Sequence, residues 1–313
     1  MSLLALFAVL SAAPQPFTTP EKTPSPTEIV AAASTADWRE IAPSQLLVMD
    51  LAPDSARRPR RVVIQLLPEP FSQGWIDNIR KLATAHWWDR TSINRAQDNY
   101  VVQWGDPEAE NKAKAKPLPP GLATVPQEDY VVTGFYGHES GTADTIGFLV
   151  EKQTSQDPYA ATGMFREGFP IAGADGNAWP VHCYGSVGVG RDMPPDTGTG
   201  AELYVVIGHA PRQLDRNIAV VGRVIEGIEH LSILPRGTGD LGFYRAASER
   251  TQIRSIRLGS EVANMPVYEY LGTETEQFAR YAEARANRRD AFFIQPAGGA
   301  DICNVPVPVR RRK

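Results

Sequence analysis

A chain of 313 residues, 42% hydrophobic and 22% charged, can bury a sizeable core, which excludes wholesale disorder. Thirty-two basic residues against 36 acidic ones leave a net charge of −4, so no concentrated basic face speaks for nucleic acid as a partner. Five histidines without HxxxH or HExxH spacing, and two cysteines without CxxC spacing, give no metal motif.

The apolar run Met1–Ala13 has the length of a signal-peptide core and is followed by small residues, though no Lys or Arg precedes it and Pro14 follows. It is too short to span a bilayer, so no transmembrane span is expected. Export to a periplasmic or secreted location is the expectation, with a cytoplasmic location if the run is not a signal. Residues 14–43 are rich in Pro, Thr, Ser and Ala and read as a flexible spacer. The main domain is expected over 44–263, with an insertion at about 108–180, and 264–313 as an extension carrying one helix.

Within the domain, Leu46–Leu51 and Arg61–Leu67 are apolar, strand-like runs separated by turn residues, and so read as an antiparallel pair. Trp75, Ile76, Ile79, Leu82 and Ala83 recur at three-and-four spacing, which predicts a helix over Gln73–His86. Tyr100–Trp104 reads as a strand ending at Gly105-Asp106-Pro107. In the insertion, Lys112–Pro120 reads as an exposed loop, and Tyr130–Tyr136 and Ile146–Lys152 as strands. Further strands are expected at Gly185–Val189, Glu202–Gly208, Ile218–Val224 and Gln252–Leu258, with a short helix near Glu226–Leu234. Thr273–Arg289 reads as a helix opened by a Thr273/Glu276 capping box. Its stripe of Phe278, Tyr281 and Ala282 is expected to pack on the parent domain rather than on a partner. The basic run Arg310–Lys313 is expected to be solvated and frayed. Cys183 and Cys303 are either two unrelated buried thiols or one disulfide tying the tail to the body. Strands outnumber helices, so the fold is mainly β, a barrel or sandwich with helices over its openings.

Two glycine-rich features carry no chemistry. Gly185-Ser-Val-Gly-Val-Gly190 is neither GxGxxG nor a phosphate loop, and Tyr184 replaces the first glycine that a nucleophile elbow around Ser186 requires. The informative window is Ile93–Pro107. Side chains alternate along a strand, so Val101 and Gln103 share one face. With Arg95 and Tyr100 they border an apolar groove.

That window resembles the cyclophilin family of peptidyl-prolyl isomerases, whose motif runs Phe-His-Arg-Val, a short turn, then Phe-Met-x-Gln-Gly-Gly-Asp-Pro. Arg95, Gln103, Gly105, Asp106 and Pro107 match it, with Tyr100 in place of phenylalanine. Gly200-Ala-Glu-Leu-Tyr-Val-Val206 resembles the family's Gly-Ser-Gln-Phe-Phe-Ile strand. Leu214-Asp215, followed by Val220–Gly227, resembles its Leu-Asp-Gly to Val-Phe-Gly segment. The resemblance covers about 44–107 and 181–260. It implies a closed eight-stranded antiparallel barrel capped by two helices. It also implies an enzyme that rotates Xaa-Pro bonds in proline-containing proteins without any cofactor. Arg95 and Gln103 would be catalytic, and Tyr100, Val101, Glu202, Tyr204 and Leu214 would bind the substrate. The chain departs from the family pattern at Asn94 for histidine, Val101 for methionine, Trp104 for glycine and Glu202 for glutamine. Tyr204 stands for phenylalanine, Gln213 for tryptophan and Ile218 for histidine. These changes also admit a second reading, a non-catalytic module or chaperone that grips proline-containing segments. Oligomeric state is not legible.

Overall fold

Strand alternation sorts apolar side chains to two sides of one sheet, and here the sheet closes on itself. The computed structural model describes residues 23–135 and 157–312. In chain order its elements are α1 (Pro26–Ala31), β1 (Trp38–Ile41), β2 (Leu46–Leu51), β3 (Arg60–Leu66), α2 (Gln73–Thr84), β4 (Ser92–Ala96) and β5 (Val101–Gly105). There follow β6 (Thr162–Arg166), β7 (Phe169–Ala174), β8 (Asn177–Pro180), β9 (Ser186–Val189), β10 (Leu203–Val206), β11 (Val220–Glu226) and α3 (Glu229–Ser232). The last are β12 (Thr251–Leu258), β13 (Tyr268–Leu271), α4 (Glu276–Ala286) and β14 (Val309–Arg311).

The barrel runs β10-β5-β4-β12-β2-β3-β11-β9, every pair antiparallel. Its interior takes the inward members of each strand, among them Met49, Ile64, Val102, Trp104, Val187, Leu203 and Val205. α2 packs against β12 and β11 and α3 against β3, so the barrel is the helix-capped one expected. The whole predicted stripe of α2 is buried. Its Trp75 Nε1 donates to the Thr197 and Gly198 carbonyls at 3.1 Å each.

A second apolar core lies outside the barrel wall. Leu46 and Val63 face it from β2 and β3, and Trp38, Ile41, Phe165, Trp179, Tyr268 and Phe278 cover them. The cover consists of two three-stranded sheets, β1-β13-β14 and β6-β7-β8, with α1 against α4. Where this layer meets β9 and β11, a cavity of about 300 Å³ remains, lined by Phe169, Val220, Arg223, Ile302 and Val307 among others.

Several expectations change here. Residues 26–43 are not a spacer. Ser25 and Glu28 cap α1 reciprocally, Pro26 opens the helix, and Ile29, Trp38 and Ile41 are buried. Ser25 and Pro26, residue types that suggest flexibility, are here the cap and first residue of a helix. Met1–Ala13 and Ile146–Lys152 lie outside the described residues. Among the described residues of the expected strand 130–136, Tyr130 ends a tight turn, Gln127–Tyr130, and Val132 makes one bridge to Ala178. The insertion's strands are β6 to β8, joined by the two-residue turns Glu167-Gly168 and Asp175-Gly176. All four turn residues have positive φ, as mirror-image hairpin turns require. α4 is capped by Thr275, whose hydroxyl accepts from Phe278 N at 3.1 Å, while Thr273 Oγ1 instead accepts from Gly168 N at 3.4 Å. Cys183 and Cys303 form a disulfide. Residues 310–312 of the basic run are not frayed: Arg310 and Arg311 lie in β14, paired with Glu269 and Glu226, and Arg312 reaches Glu40 at 2.8 Å.

Candidate active site

Three neighbouring barrel strands present one row of outward side chains. Register places Arg95 of β4 opposite Gln103 of β5, Gln103 opposite Tyr204 of β10, and Tyr204 opposite Gly188 of β9. Arg95 Nη1 donates to Gln103 Oε1 at 3.3 Å, and Nη2 donates to Gln97 Oε1. Arg95 Nε donates to the Leu241 carbonyl at 2.7 Å. The guanidinium carbon lies 5.6 Å from the Tyr100 ring centre and 5.3 Å from that of Phe243. Oxygen acceptors and aromatic faces thus hold the cation, and among the described residues no carboxylate pairs with it. Burial lowers its pKa and the neighbouring Tyr100 phenol opposes that.

Because Gln103 Oε1 accepts from Arg95, its Nε2 points the other way, toward Gly190 and Glu202. The Glu202 carboxyl rests on Gly105, where a Cβ would come within 2.0 Å of Oε1. Burial pushes its pKa up to about 8, opposed by the Gln103 amide and the Asp106 backbone N–H. Glu202 therefore backs Gln103 instead of lining the apolar part of the groove.

The apolar part is a small outward cluster of Val101, Tyr204 and Val206, with Tyr100 and Ile218 over it. The tip of the Tyr204 ring lies over Gly188, where a Cβ would stand 2.4 Å from Cζ. Its hydroxyl is 2.8 Å from Nε2 of the buried His182. Of the seven residues expected at the site, Arg95, Gln103, Tyr100, Val101 and Tyr204 come together and Glu202 sits behind them. Leu214 lies half-buried in the tight turn Arg212–Leu214, and its carbonyl accepts from the backbone N–H of Ile218, which packs on that cluster, at 3.2 Å.

Gln97, Gly188, Leu241, Phe243 and His182 were not expected there. Phe243 bridges Arg95 from a loop whose Gly242 has φ +80° and lets the backbone press against Gln97. The glycines of that loop, Gly237, Gly239 and Gly242, were its one readable signal. Among the described residues no group of three or more His, Cys, Asp or Glu side chains forms a metal site, and no helix is long and apolar enough to cross a membrane.

Residues 60–257 match the family model described as cyclophilin type peptidyl-prolyl cis-trans isomerase/CLD. No curated protein matches the chain significantly. Among solved structures, the chain is similar to the cyclophilin AquaCyp293 from Hirschia baltica. The TM-score is 0.62 at 19% identity, over 88% of this chain and 94% of that one. A cyclophilin type peptidyl-prolyl cis-trans isomerase from Cryptosporidium parvum aligns over 68% of this chain and 97% of its own, with TM-score 0.38 and 12% identity.

Proposed function

The chain belongs to the cyclophilin-type peptidyl-prolyl cis-trans isomerase family, and from that premise we propose that it catalyses rotation about Xaa-Pro bonds at the Arg95 groove. The barrier to be lowered, about 18–20 kcal/mol, is the amide resonance lost as the C–N bond twists. Twisting localises a lone pair on the prolyl nitrogen. A fixed cation aimed at that nitrogen stabilises the twisted state more than either planar state, which is the requirement for catalysis. Arg95 is suited to this task. Three of its N–H groups are held by Leu241, Gln97 and Gln103, and two remain free of those bonds. Gln103, held in turn by Arg95, would orient the substrate backbone. Tyr100, Val101 and Tyr204 would receive the proline ring, with Leu214 at the margin. The rotation breaks no covalent bond, so the proposal needs no cofactor.

The observation that carries this reading is a guanidinium that no carboxylate among the described residues pairs, bordered by an apolar cluster on the adjoining strands. The test is cis/trans exchange of a short Xaa-Pro peptide followed by NMR, comparing the native protein with Arg95→Ala. Acceleration should fall by about 100-fold or more in the variant. Full activity in a folded Arg95→Ala protein would overturn the proposal.

One observation favours a second reading, a module that binds proline-containing segments without accelerating them. Arg95 and Gln103 keep the family pattern while the pocket residues Val101, Glu202 and Tyr204 depart from it, so a groove that still binds can have lost its fit to the twisted state. Peptide binding without exchange would support that reading. Export is also part of the proposal. The apolar run Met1–Ala13 supports it, as does the Cys183–Cys303 disulfide, a bond that persists in oxidising compartments. Clients would then be exported proline-containing proteins.

A further inference from the structure

His182 is completely buried just before β9, and every polar atom of its ring is engaged. Nδ1 lies 2.9 Å from Asp215 Oδ1, which also accepts the His182 backbone N–H at 3.0 Å. A carboxylate oxygen can only accept, so Nδ1 carries a proton, and in the neutral imidazole Nε2 is then bare. A bare Nε2 at 2.8 Å must accept the Tyr204 O–H. Burial holds the Tyr204 phenol well above its ordinary pKa, which keeps that proton on the hydroxyl.

The far end of the chain of bonds is equally fixed. Asp215 Oδ2 accepts from Arg212 Nε at 2.7 Å, and Arg212 Nη2 donates to Asp157 Oδ2 at 2.8 Å. Arg212, Asp215 and His182 are 4%, 3% and 0% exposed, so this relay is shielded from solvent. The backbone beside it is held as well, because Cys183 is bonded to Cys303. On the other side the tip of the Tyr204 ring rests against Gly188.

We propose that His182 is a positioning residue of the groove: by accepting the Tyr204 hydroxyl it holds the tip of that ring over Gly188 and so sets the shape of the surface that receives the proline ring. A phenylalanine floor needs no such partner, because it has no hydroxyl to satisfy. A tyrosine floor buries a polar atom that is costly unless bonded, and the bond it makes removes the ring's freedom to tilt. Asp215 selects the tautomer of His182 and Arg212 balances the Asp215 charge. His182 makes no hydrogen bond to Arg95, so its effect falls on the fit of the proline ring.

The inference rests on the proposed isomerase reading, and the test separates the two. Proline-peptide affinity and exchange parameters are measured by NMR for the native protein, Tyr204→Phe, His182→Leu, His182→Gln and the Tyr204→Phe/His182→Leu pair. A long-range proton–nitrogen spectrum reads the His182 tautomer, and labelled tyrosine reads the order of the Tyr204 ring. Tyr204→Phe and His182→Leu should each weaken peptide binding about three- to tenfold and raise KM more than they lower kcat. The pair should be no weaker than the worse single variant, because both ends of the bond are then absent. His182→Gln should recover most of the affinity, since its amide can donate to Asp215 and accept from Tyr204. If His182→Leu does not fold, Tyr204→Phe, His182→Gln and the tautomer spectrum decide. A proton on Nε2, a disordered Tyr204 ring in the native protein, or losses that multiply in the pair would overturn the inference. A native protein that neither binds nor accelerates the peptide would overturn the isomerase reading, while tautomer and ring order would still test the hold of His182 on Tyr204.

Discussion

Glu202 is where pH enters the groove. Folded, its carboxyl keeps its proton up to about pH 8 because burial penalises the charge. In the unfolded chain it ionises near its ordinary value, about 4.3. Between those values the unfolded state binds fewer protons, so stability falls as pH rises through the window and is highest below it. The loss is on the order of a few kcal/mol. Glu202→Gln should flatten the slope. Urea midpoints at pH 5, 7 and 9 check this: the native midpoint should fall across the series and that of the variant should hold. Gly188 offers a steric counterpart. Gly188→Ala places a methyl 2.4 Å from Tyr204 Cζ, so the ring must lift and weaken peptide binding, which a titration would read. Arg95, Gln103 and Tyr204 were legible in the sequence because a period-two strand and a spaced motif mark them. His182 was not, because its meaning depends on a hydroxyl on β10 and a carboxylate after a distant turn.

At the level of elements, what was legible followed from regular periodicity, and what was missed lay in short segments crowded with glycine, proline and small polar residues. The stripe of α2 was evident from spacing alone. β6 to β8 were hidden by Gly163, Pro170 and Gly173, although Asp175-Gly176 is a hairpin signal. α4 shows how close alternatives compete at a helix start. Thr273 and Thr275 both stand near its first turn, and only Thr275 has its hydroxyl over the Phe278 N–H, because Thr273 is committed to Gly168. Thr275→Ala should therefore cost about 1 kcal/mol and loosen the first turn of α4. Faster hydrogen exchange at the Phe278 amide would report it. Protection unchanged there would mean that packing of Phe278 and Tyr281, not the cap, holds the helix end.

Taken as a whole, the molecule is a closed barrel with a second apolar core built on one side of its wall. The disulfide fastens that second layer to the barrel at the base of β9, closing a loop with a sequence separation of 120. Removing both cysteines, Cys183→Ser with Cys303→Ser, should cost about 2–5 kcal/mol, because a long loop regains freedom in the unfolded chain. Guanidinium unfolding under non-reducing conditions measures it, and an unchanged midpoint would mean that the second core alone anchors the layer.

The sheet β1-β13-β14 joins a strand that precedes the whole barrel to two that follow it. On the ribosome this sets a timetable. The barrel strands are all synthesised before β13 and β14, so Leu46, Val63 and Trp179 stay wet after the barrel can close, and Trp38 and Ile41 wait without their neighbours. The nascent chain passes through a stage with a finished barrel and a bare apolar flank. That stage is when the protein has most need of a chaperone.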